Sequence, residues 1–230
     1  LVEVCRMREI PIIVFINKLD REGKDAFDLL DELESKLKFT VCPLSFPIGI
    51  GYDFQGIYNL WKNNLMLFKE ENKQKISDSI NIKSLNDIRL TDFIGESASH
   101  KLKEEIDIVK EVYPNFNQTD YLSCKQQPVF FGSALNNFGV KELLDCFISI
   151  APPPLAKESN ERIIKPEENK FSGFIFKIHA NMDPKHRDRL AFIKIVSGIF
   201  KRNKPYNHVR LNKKFKFSSP NAFFAEKKEI

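Results

Sequence analysis

Residues 11–37 predict a strand, a polar turn and a helix in direct succession. Residues 11–16 are an apolar run of β-branched and aromatic side chains opened by a proline, which is typical of a strand buried in a parallel sheet. Residues 25–37 place leucine and phenylalanine on one stripe at helical spacing. In open α/β sheets, ligands bind at the carboxyl ends of the strands. The turn between the two elements, Asn17-Lys18-Leu19-Asp20, therefore stands where a ligand would lie.

The residue types in this turn suit a guanine base. An ionised Asp20 only accepts hydrogen bonds, and it can take both donors on the N1/N2 edge of guanine. Adenine lacks this donor pair and would leave a buried Asp20 unpaired, which is costly. The stem of Lys18 can cover the base plane, and Asn17 can donate to the ring or tie neighbouring loops together. Taken alone, the turn is explained equally well as a polar strand end without a ligand.

A second βα unit shifts this balance. Residues 128–132 are another short apolar strand, followed by a tight turn and by an apolar stripe at helical spacing. The amide of Ala134 can donate to a base oxygen, and Ser133 can brace the loop. The helical stripe comprises Val140, Leu143, Leu144, Phe147 and Ile148.

The paired motifs resemble the guanine-specificity elements of translational GTPases. This resemblance implies a guanine pocket that comprises Asn17, Lys18, Asp20, Ser133, Ala134 and Leu135. Longer segments at residues 15–21 (FINKLDR), 128–140 (PVFFGSALNNFGV) and 180–189 (ANMDPKHRDR) resemble the bacterial peptide chain release factor 3 family. The resemblance extends from residue 1 to about residue 225. Members of that family begin with a phosphate-binding loop, Gly-x-x-x-x-Gly-Lys-Ser/Thr, and two switch segments, none of which occurs here. We therefore expect the chain to be an internal fragment of such a protein.

The resemblance implies an α/β fold that is the C-terminal part of a P-loop GTPase domain with an inserted subdomain, followed by the start of a β-barrel domain. The expected boundaries are residues 1–155 for the partial GTPase domain, including an insert at about 40–127. Residues 156–170, which are charged and aperiodic, are expected to be a linker. Residues 171–230 are expected to be a partial β-barrel domain. A decorated α/β domain whose insert has no special role is the alternative.

Within the insert, the sequence predicts a hairpin, a polar excursion and a helix. The hairpin strands are expected at residues 54–60 and 65–69, and a mobile excursion at 70–90. A single amphipathic helix is expected at 91–112, with Leu102, Ile106 and Val109 facing inward. A short helical turn is expected at 117–125.

The function implied by the resemblance is a cytoplasmic, ribosome-associated GTPase that recycles class-1 release factors in translation termination. GTP or GDP is the implied ligand. The Mg²⁺ and phosphate ligands, and all catalytic residues, are expected outside these 230 residues, so the chain alone should not hydrolyse GTP. The alternatives are a GTPase of the elongation factor G type and a non-catalytic module that binds RNA or protein. The charged loop at 183–189 favours a release factor over an elongation factor, although most such loops are simply solvated.

Composition narrows the possible partners. Basic residues outnumber acidic ones by 36 to 31, a mild excess that is compatible with contact with ribosomal RNA. The four cysteines are scattered without a Cys-x-x-Cys pair, which favours structural thiols in a reducing cytosol over a metal site. No apolar run approaches the length that spans a membrane, and no secretory signal is present. We therefore expect neither a membrane partner nor a resident metal.

Overall fold

The computed structural model describes residues 1–38, 40–67, 79–82, 84–180, 189–218, 220, 222–224 and 227–229. The chain forms two compact units, Leu1–Pro152 and Pro153–Ile230.

The first unit mixes helices and strands. Its helices are α1 (Val2–Met7), α2 (Ala26–Leu37), α3 (Arg89–Ile94), α4 (Glu96–Val112), α5 (Gln118–Leu122) and α6 (Val140–Ile150). Its strands are β1 (Val14–Ile16), β2 (Thr40–Pro43), β3 (Ser45–Ile48), β4 (Gly56–Asn59), β5 (Asn64–Leu67), β6 (Ser79–Asn81) and β7 (Gln126–Phe131).

Three parallel strands in the order β1-β7-β2 form the sheet that carries the two predicted βα units. Every residue of β7 is buried, as expected for a central parallel strand, whereas β1 is half-buried. Ile16 lies opposite Phe131 in the register, so β1 and β7 end at the same edge. The α2 helix follows as predicted and begins at Asp25, whose side chain accepts a hydrogen bond from the Phe27 amide at 2.9 Å.

The chain passes directly from this sheet into a second one. The Leu44 amide donates to the Val129 carbonyl at 2.9 Å, which extends the pairing of β2 with β7. The next residue, Ser45, is fully buried and its Oγ accepts from the Phe131 amide at 2.9 Å. From there β3 pairs with β4, the first partner in an antiparallel sheet of order β3-β4-β5-β6. Ser45 is thus a polar joint between the two sheets.

Substituting Ser45 by alanine is expected to destabilise the first unit by about 1–2 kcal/mol, because the buried Phe131 amide loses its acceptor. Urea unfolding measures the change. Ser99→Ala is the matched control: Ser99 is equally buried, but its Oγ has no hydrogen-bond partner among the described residues. The control should be neutral or stabilising, and equal losses for the two variants would show that the Ser45 hydrogen bond does not matter.

The segment predicted as an insert has the expected hairpin, whereas the polar excursion expected after it is partly wrong. The predicted hairpin is confirmed as β4 and β5, which pair antiparallel. The mobile excursion predicted at 70–90 is wrong for its second half, because β6 pairs with β5 and both Ile82 and Leu90 are fully buried. Isolated apolar residues in this polar stretch join the hydrophobic core, which the local composition does not reveal. Residues 70–78 and 83 lie outside the described residues.

The single helix predicted at 91–112 is two helices. The break falls at Gly95, whose φ of 83° and ψ of 164° are accessible to glycine but not to other residues at low cost. The inward side of α4 is as predicted, with Leu102, Ile106 and Val109 buried. The short turn predicted at 117–125 is also confirmed, as α5.

The α6 helix packs by a different face from the predicted one. Leu144, Phe147 and Ile148 are exposed, whereas Cys146 and Ile150 are buried. Periodicity alone could not choose between the two faces, because both carry apolar residues at helical spacing. The buried face joins a cluster with Cys42, Leu44, Tyr121 and Phe130, and Leu143 packs against it. Burial raises the pKa of the Cys42 and Cys146 thiols to about 12, which leaves both as inert core groups.

The second unit consists of antiparallel strand pairs in the part of the chain that the structure describes. The strands are β8 (Lys157–Glu158), β9 (Ile163–Ile164), β10 (Ser172–Ala180), β11 (Arg189–Ser197), β12 (Pro205–His208), β13 (Lys213–Lys216), β14 (Ala222–Phe224) and β15 (Lys227–Glu229). They pair β8-β9, β10-β11, β12-β13 and β14-β15, without a closed barrel among the described residues. The segment predicted as a linker contains the β8-β9 hairpin and an ion pair between Arg162 and Glu168 at 2.7 Å. Of the charged loop predicted at 183–189, residues 183–188 lie outside the described residues.

Candidate functional site

Two polar loops leave the sheet side by side at the carboxyl ends of β1 and β7. The Gly132 amide donates to the Ile16 carbonyl at 3.0 Å, and the Leu19 amide donates to the Gly132 carbonyl at 3.2 Å. These bonds continue the strand pairing beyond the strands themselves. Residues 17–21 form the Asn17 loop and residues 133–138 form the Ala134 loop. The structure therefore brings together the six residues predicted as a pocket, on neighbouring loops at one edge of the sheet.

The side chain of Asn17 ties the two loops together. Its Oδ1 accepts from the amides of Lys18 and Ala134, at 2.8 Å in both cases. Of the two roles predicted for Asn17, this contact matches the one that links the loops. It also occupies the Ala134 amide that was predicted to donate to a base oxygen. A base oxygen at this position would have to share or replace the Asn17 acceptor.

The Asn17 loop presents one apolar anchor and three polar side chains. Leu19 is 3% exposed and fixes the loop to the core, whereas Asn17 and Lys18 are exposed and Asp20 is half-buried. The backbone of Lys18 lies in the left-handed region with φ of 71°, a conformation that costs a non-glycine residue on the order of 1 kcal/mol. Among the described residues, the Asp20 carboxylate has neither a hydrogen bond nor an ion pair. Its acceptor capacity is therefore available to a ligand.

The Ala134 loop is closed on itself by its first and last residues. The Ser133 amide donates to the Phe138 carbonyl at 3.0 Å, and the Phe138 amide donates to the Ser133 carbonyl at 2.9 Å. The buried Ser133 Oγ also accepts from Asn136 Nδ2 at 3.0 Å, which is the bracing role predicted for Ser133. At the tip of the loop, Ala134 and Leu135 are exposed.

Glycine is required where the Ala134 loop leaves and rejoins the core. A Cβ on Gly132 would lie 2.3 Å from the Phe138 carbonyl oxygen and 2.8 Å from Phe15 Cζ. Gly139 has φ of 77°, and a Cβ there would lie 2.5 Å from the Phe131 carbonyl oxygen. The close backbone approach on both sides holds the loop in one conformation.

Sequence reasoning missed a third segment, residues 49–55, which we name the brace loop. It connects β3 to β4 and contacts both polar loops. The Gly51 amide donates to the Leu19 carbonyl at 2.9 Å, and the Phe54 ring packs edge-on against Phe138 with centroids 5.6 Å apart. The signal in the sequence was the pair of glycines at 49 and 51, both of which adopt positive φ, at 76° and 66°.

The far side of the brace loop lines a cleft of about 540 Å³, together with the start of α2 and the α3–α4 junction. None of the six predicted site residues lines this cleft. We therefore place the candidate site on the paired loops, where donors and acceptors converge, and not in the cleft.

The described part of the chain contains neither a candidate metal centre nor a candidate membrane span. No cluster of three or more His, Cys, Asp or Glu side chains there could hold a metal ion. Nor does any helix within the described ranges have the length and apolar character needed to cross a membrane.

Comparison with protein families identifies the first unit. The family model of the elongation factor Tu GTP binding domain matches residues 1–153, more than half of the chain, and that of elongation factor G domain 2 matches residues 170–230. The chain belongs to the translational GTPases. In this translational GTPase the first unit thus corresponds to a domain that binds guanine nucleotides, and residues 170–230, with the strand pairs from β10 onward, correspond to the second domain. The α/β fold followed by a β domain, as expected from the sequence, is confirmed.

Proposed function

We propose that the paired loops bind the guanine base of GTP or GDP. Asp20 accepts from the base edge, Lys18 covers the base plane and Asn17 holds the Asn17 loop against the Ala134 loop. Ser133, Ala134 and Leu135 complete the pocket. The observation that carries this proposal is the hydrogen bond from the Ala134 amide to Asn17 Oδ1, because it brings the two sequence motifs into one site.

Hydrogen-bond complementarity to Asp20 supports guanine over adenine. Asp20 is half-buried and has no partner among the described residues, so a ligand that offers two donors would satisfy it. Guanine offers N1–H and N2–H on one edge, whereas adenine presents an acceptor at N1. A hydrogen bond to a charged group contributes about 1.5–3 kcal/mol, which is enough to decide between the two bases.

Phosphate chemistry is proposed to depend on residues outside this chain. Phosphoryl transfer depends on positioning and charge neutralisation by a phosphate-binding loop, its lysine and Mg²⁺. The 230 residues contain no Gly-x-x-x-x-Gly-Lys-Ser/Thr motif. We therefore propose that the chain alone reads the base without hydrolysing GTP, and that no residue within it is catalytic or ligates Mg²⁺.

The proposed biological role is that of a release factor 3 type GTPase, which acts on the ribosome in the cytoplasm and recycles class-1 release factors. The segments at 15–21, 128–140 and 180–189 support this assignment. A charge imbalance supports contact with ribosomal RNA, since residues 153–230 contain 18 basic and 8 acidic residues.

An elongation factor G type role is the second candidate, because the family model that matches residues 170–230 carries that description. Ribosome assays on the gene product that carries these residues separate the two. A release factor 3 type protein accelerates the GTP-dependent departure of a labelled class-1 release factor from the ribosome after peptide release. An elongation factor G type protein instead drives GTP-dependent movement of tRNA and mRNA.

Base recognition can be tested on the 230-residue chain itself. Guanosine monophosphate should shift the backbone amide resonances of Lys18 and Ala134, with a dissociation constant on the order of 1 mM, which corresponds to about 4 kcal/mol. Adenosine monophosphate should bind at least about tenfold more weakly, because it leaves Asp20 unpaired. The measurement is a nucleotide titration that is monitored by ¹⁵N–¹H correlation spectra. Equal shifts with both nucleotides, or shifts confined to other parts of the chain, would contradict guanine recognition.

A further inference from the structure

We propose that the brace loop positions the two base-binding loops, and that Phe54 is a positioning residue for guanine binding. The inference rests on the proposed function of the paired loops. It gives the insert a role at the nucleotide site, because the brace loop connects β3 to β4 within the segment predicted as an insert.

The first contact of the brace loop is with the Asn17 loop. The Gly51 amide donates to the Leu19 carbonyl at 2.9 Å, and Leu19 is the residue between Lys18 and Asp20. The next amide, of Tyr52, donates to Glu22 Oε1 at 3.3 Å, just beyond the Asn17 loop. Gly51 itself has φ of 66°, a backbone conformation that glycine adopts at little cost and other residues do not. One of these hydrogen bonds lies before Asp20 in the sequence and the other after it, so together they hold the segment that carries Asp20.

The second contact is with the Ala134 loop, through aromatic packing. Phe54 and Phe138 are each 6% exposed, and their rings meet at 88°, the edge-to-face arrangement that aromatic pairs favour. Phe138 forms the reciprocal backbone pair with Ser133 that closes the Ala134 loop. Fixing the ring of Phe138 therefore fixes the loop that presents the Ala134 amide.

These contacts place one short segment across both halves of the site. The Asn17 and Ala134 loops hold each other through one side-chain hydrogen bond, and the brace loop adds an independent link to each. Loops held in their binding geometry before the ligand arrives bind more tightly, because less order is lost on binding. Loss of the Phe54 ring should therefore reduce affinity for guanine nucleotides without changing which base is preferred.

The test compares Phe54→Leu with Phe116→Leu in the 230-residue chain. Phe116 is the control, because its half-buried ring packs against Trp61 and Tyr121 and, among the described residues, forms no aromatic pair with either base-binding loop. We expect Phe54→Leu to weaken guanosine monophosphate binding about three- to tenfold, the factor that one aromatic pair supplies, and to shift the Ala134 and Phe138 amides. Phe116→Leu should leave the affinity unchanged. Thermal unfolding of both variants shows whether a loss of affinity follows a general loss of stability.

The outcomes separate this inference from the proposed function. Unchanged affinity in Phe54→Leu, with the preference for guanine intact, would overturn the role of the brace loop and leave guanine recognition standing. The same loss of affinity in both variants would also overturn it, since it would reflect stability alone. An unmodified chain without a preference for guanine would overturn the proposed function itself. If Phe54→Leu does not fold, Phe54→Met fills the site without a ring and provides the same comparison.

Discussion

Asp20→Asn is expected to weaken guanine nucleotide binding by at least about 2–3 kcal/mol, the scale for hydrogen bonds to charged groups and for unpaired buried polar groups. The amide would present a donor where guanine also presents one, and the negative charge of the acceptor would be lost. Xanthine carries an oxygen in place of the guanine amino group, so the variant should gain affinity for xanthine nucleotides. In the 230-residue chain, the shifts caused by guanosine monophosphate should vanish and those caused by xanthosine monophosphate should appear.

The change of preference from guanine to xanthine nucleotides can also be measured by competition against a labelled nucleotide, in the gene product that carries these residues. Asp120→Asn is the control for the chemical change, because Asp120 is also half-buried but lies on α5, away from the paired loops. It should bind guanine nucleotides as the unmodified protein does. If Asp20→Asn retains its affinity for guanine and gains none for xanthine, Asp20 does not contact the base.

The position of the site was predictable because it depends on local patterns and on one general rule. Residues 11–16 and 128–132 have the composition of buried parallel strands, and the polar turns after them mark their carboxyl ends. Parallel strands bring such ends to one edge of a sheet. The register that sets Ile16 opposite Phe131 confirms this consequence.

The contacts between loops were not predictable, because they depend on residues far apart in sequence. Asn17 and Ala134 are joined by a single side-chain acceptor, and the sequence offered that role only as one of two. The pairing of Phe54 with Phe138 joins two aromatic residues that carry no local signal of a common site. The choice of the buried face of α6 failed for the same reason: its neighbours come from β2, α5 and β7 and not from the helix itself.

The burial of Ile82 and Leu90 shows where composition misleads. Residues 70–90 are polar on average, yet Ile82 and Leu90 are fully buried. A single apolar side chain can join the core when its backbone is held beside a core strand. Ile82 is in this position, because it directly follows β6, which pairs with β5. The break between α3 and α4 has a more local cause, since Gly95 is a residue type that disfavours a continuous helix.

Gly132→Ala is expected to destabilise the first unit by about 2–3 kcal/mol, the upper range for added volume in a packed core. The new Cβ would lie 2.3 Å from the Phe138 carbonyl oxygen, a backbone atom that cannot move without opening the Ala134 loop. The melting temperature should fall by roughly 4–12 °C, given about 2–4 °C per kcal/mol for a domain of this size. Displacement of the loop should also break the hydrogen bond from the Ala134 amide to Asn17 and thereby weaken the binding of guanosine monophosphate.

Gly23→Ala provides the comparison for this last variant. Gly23 lies just after the Asn17 loop, and the nearest atom to a Cβ there is the Arg21 carbonyl oxygen at 3.9 Å, an ordinary contact. The change should leave both the melting temperature and guanine binding close to those of the unmodified chain. Calorimetry and the nucleotide titration together test the argument. If Gly132→Ala were as stable as Gly23→Ala and bound guanosine monophosphate as tightly, the close contact between Gly132 and the Phe138 carbonyl would not be what holds the Ala134 loop in place.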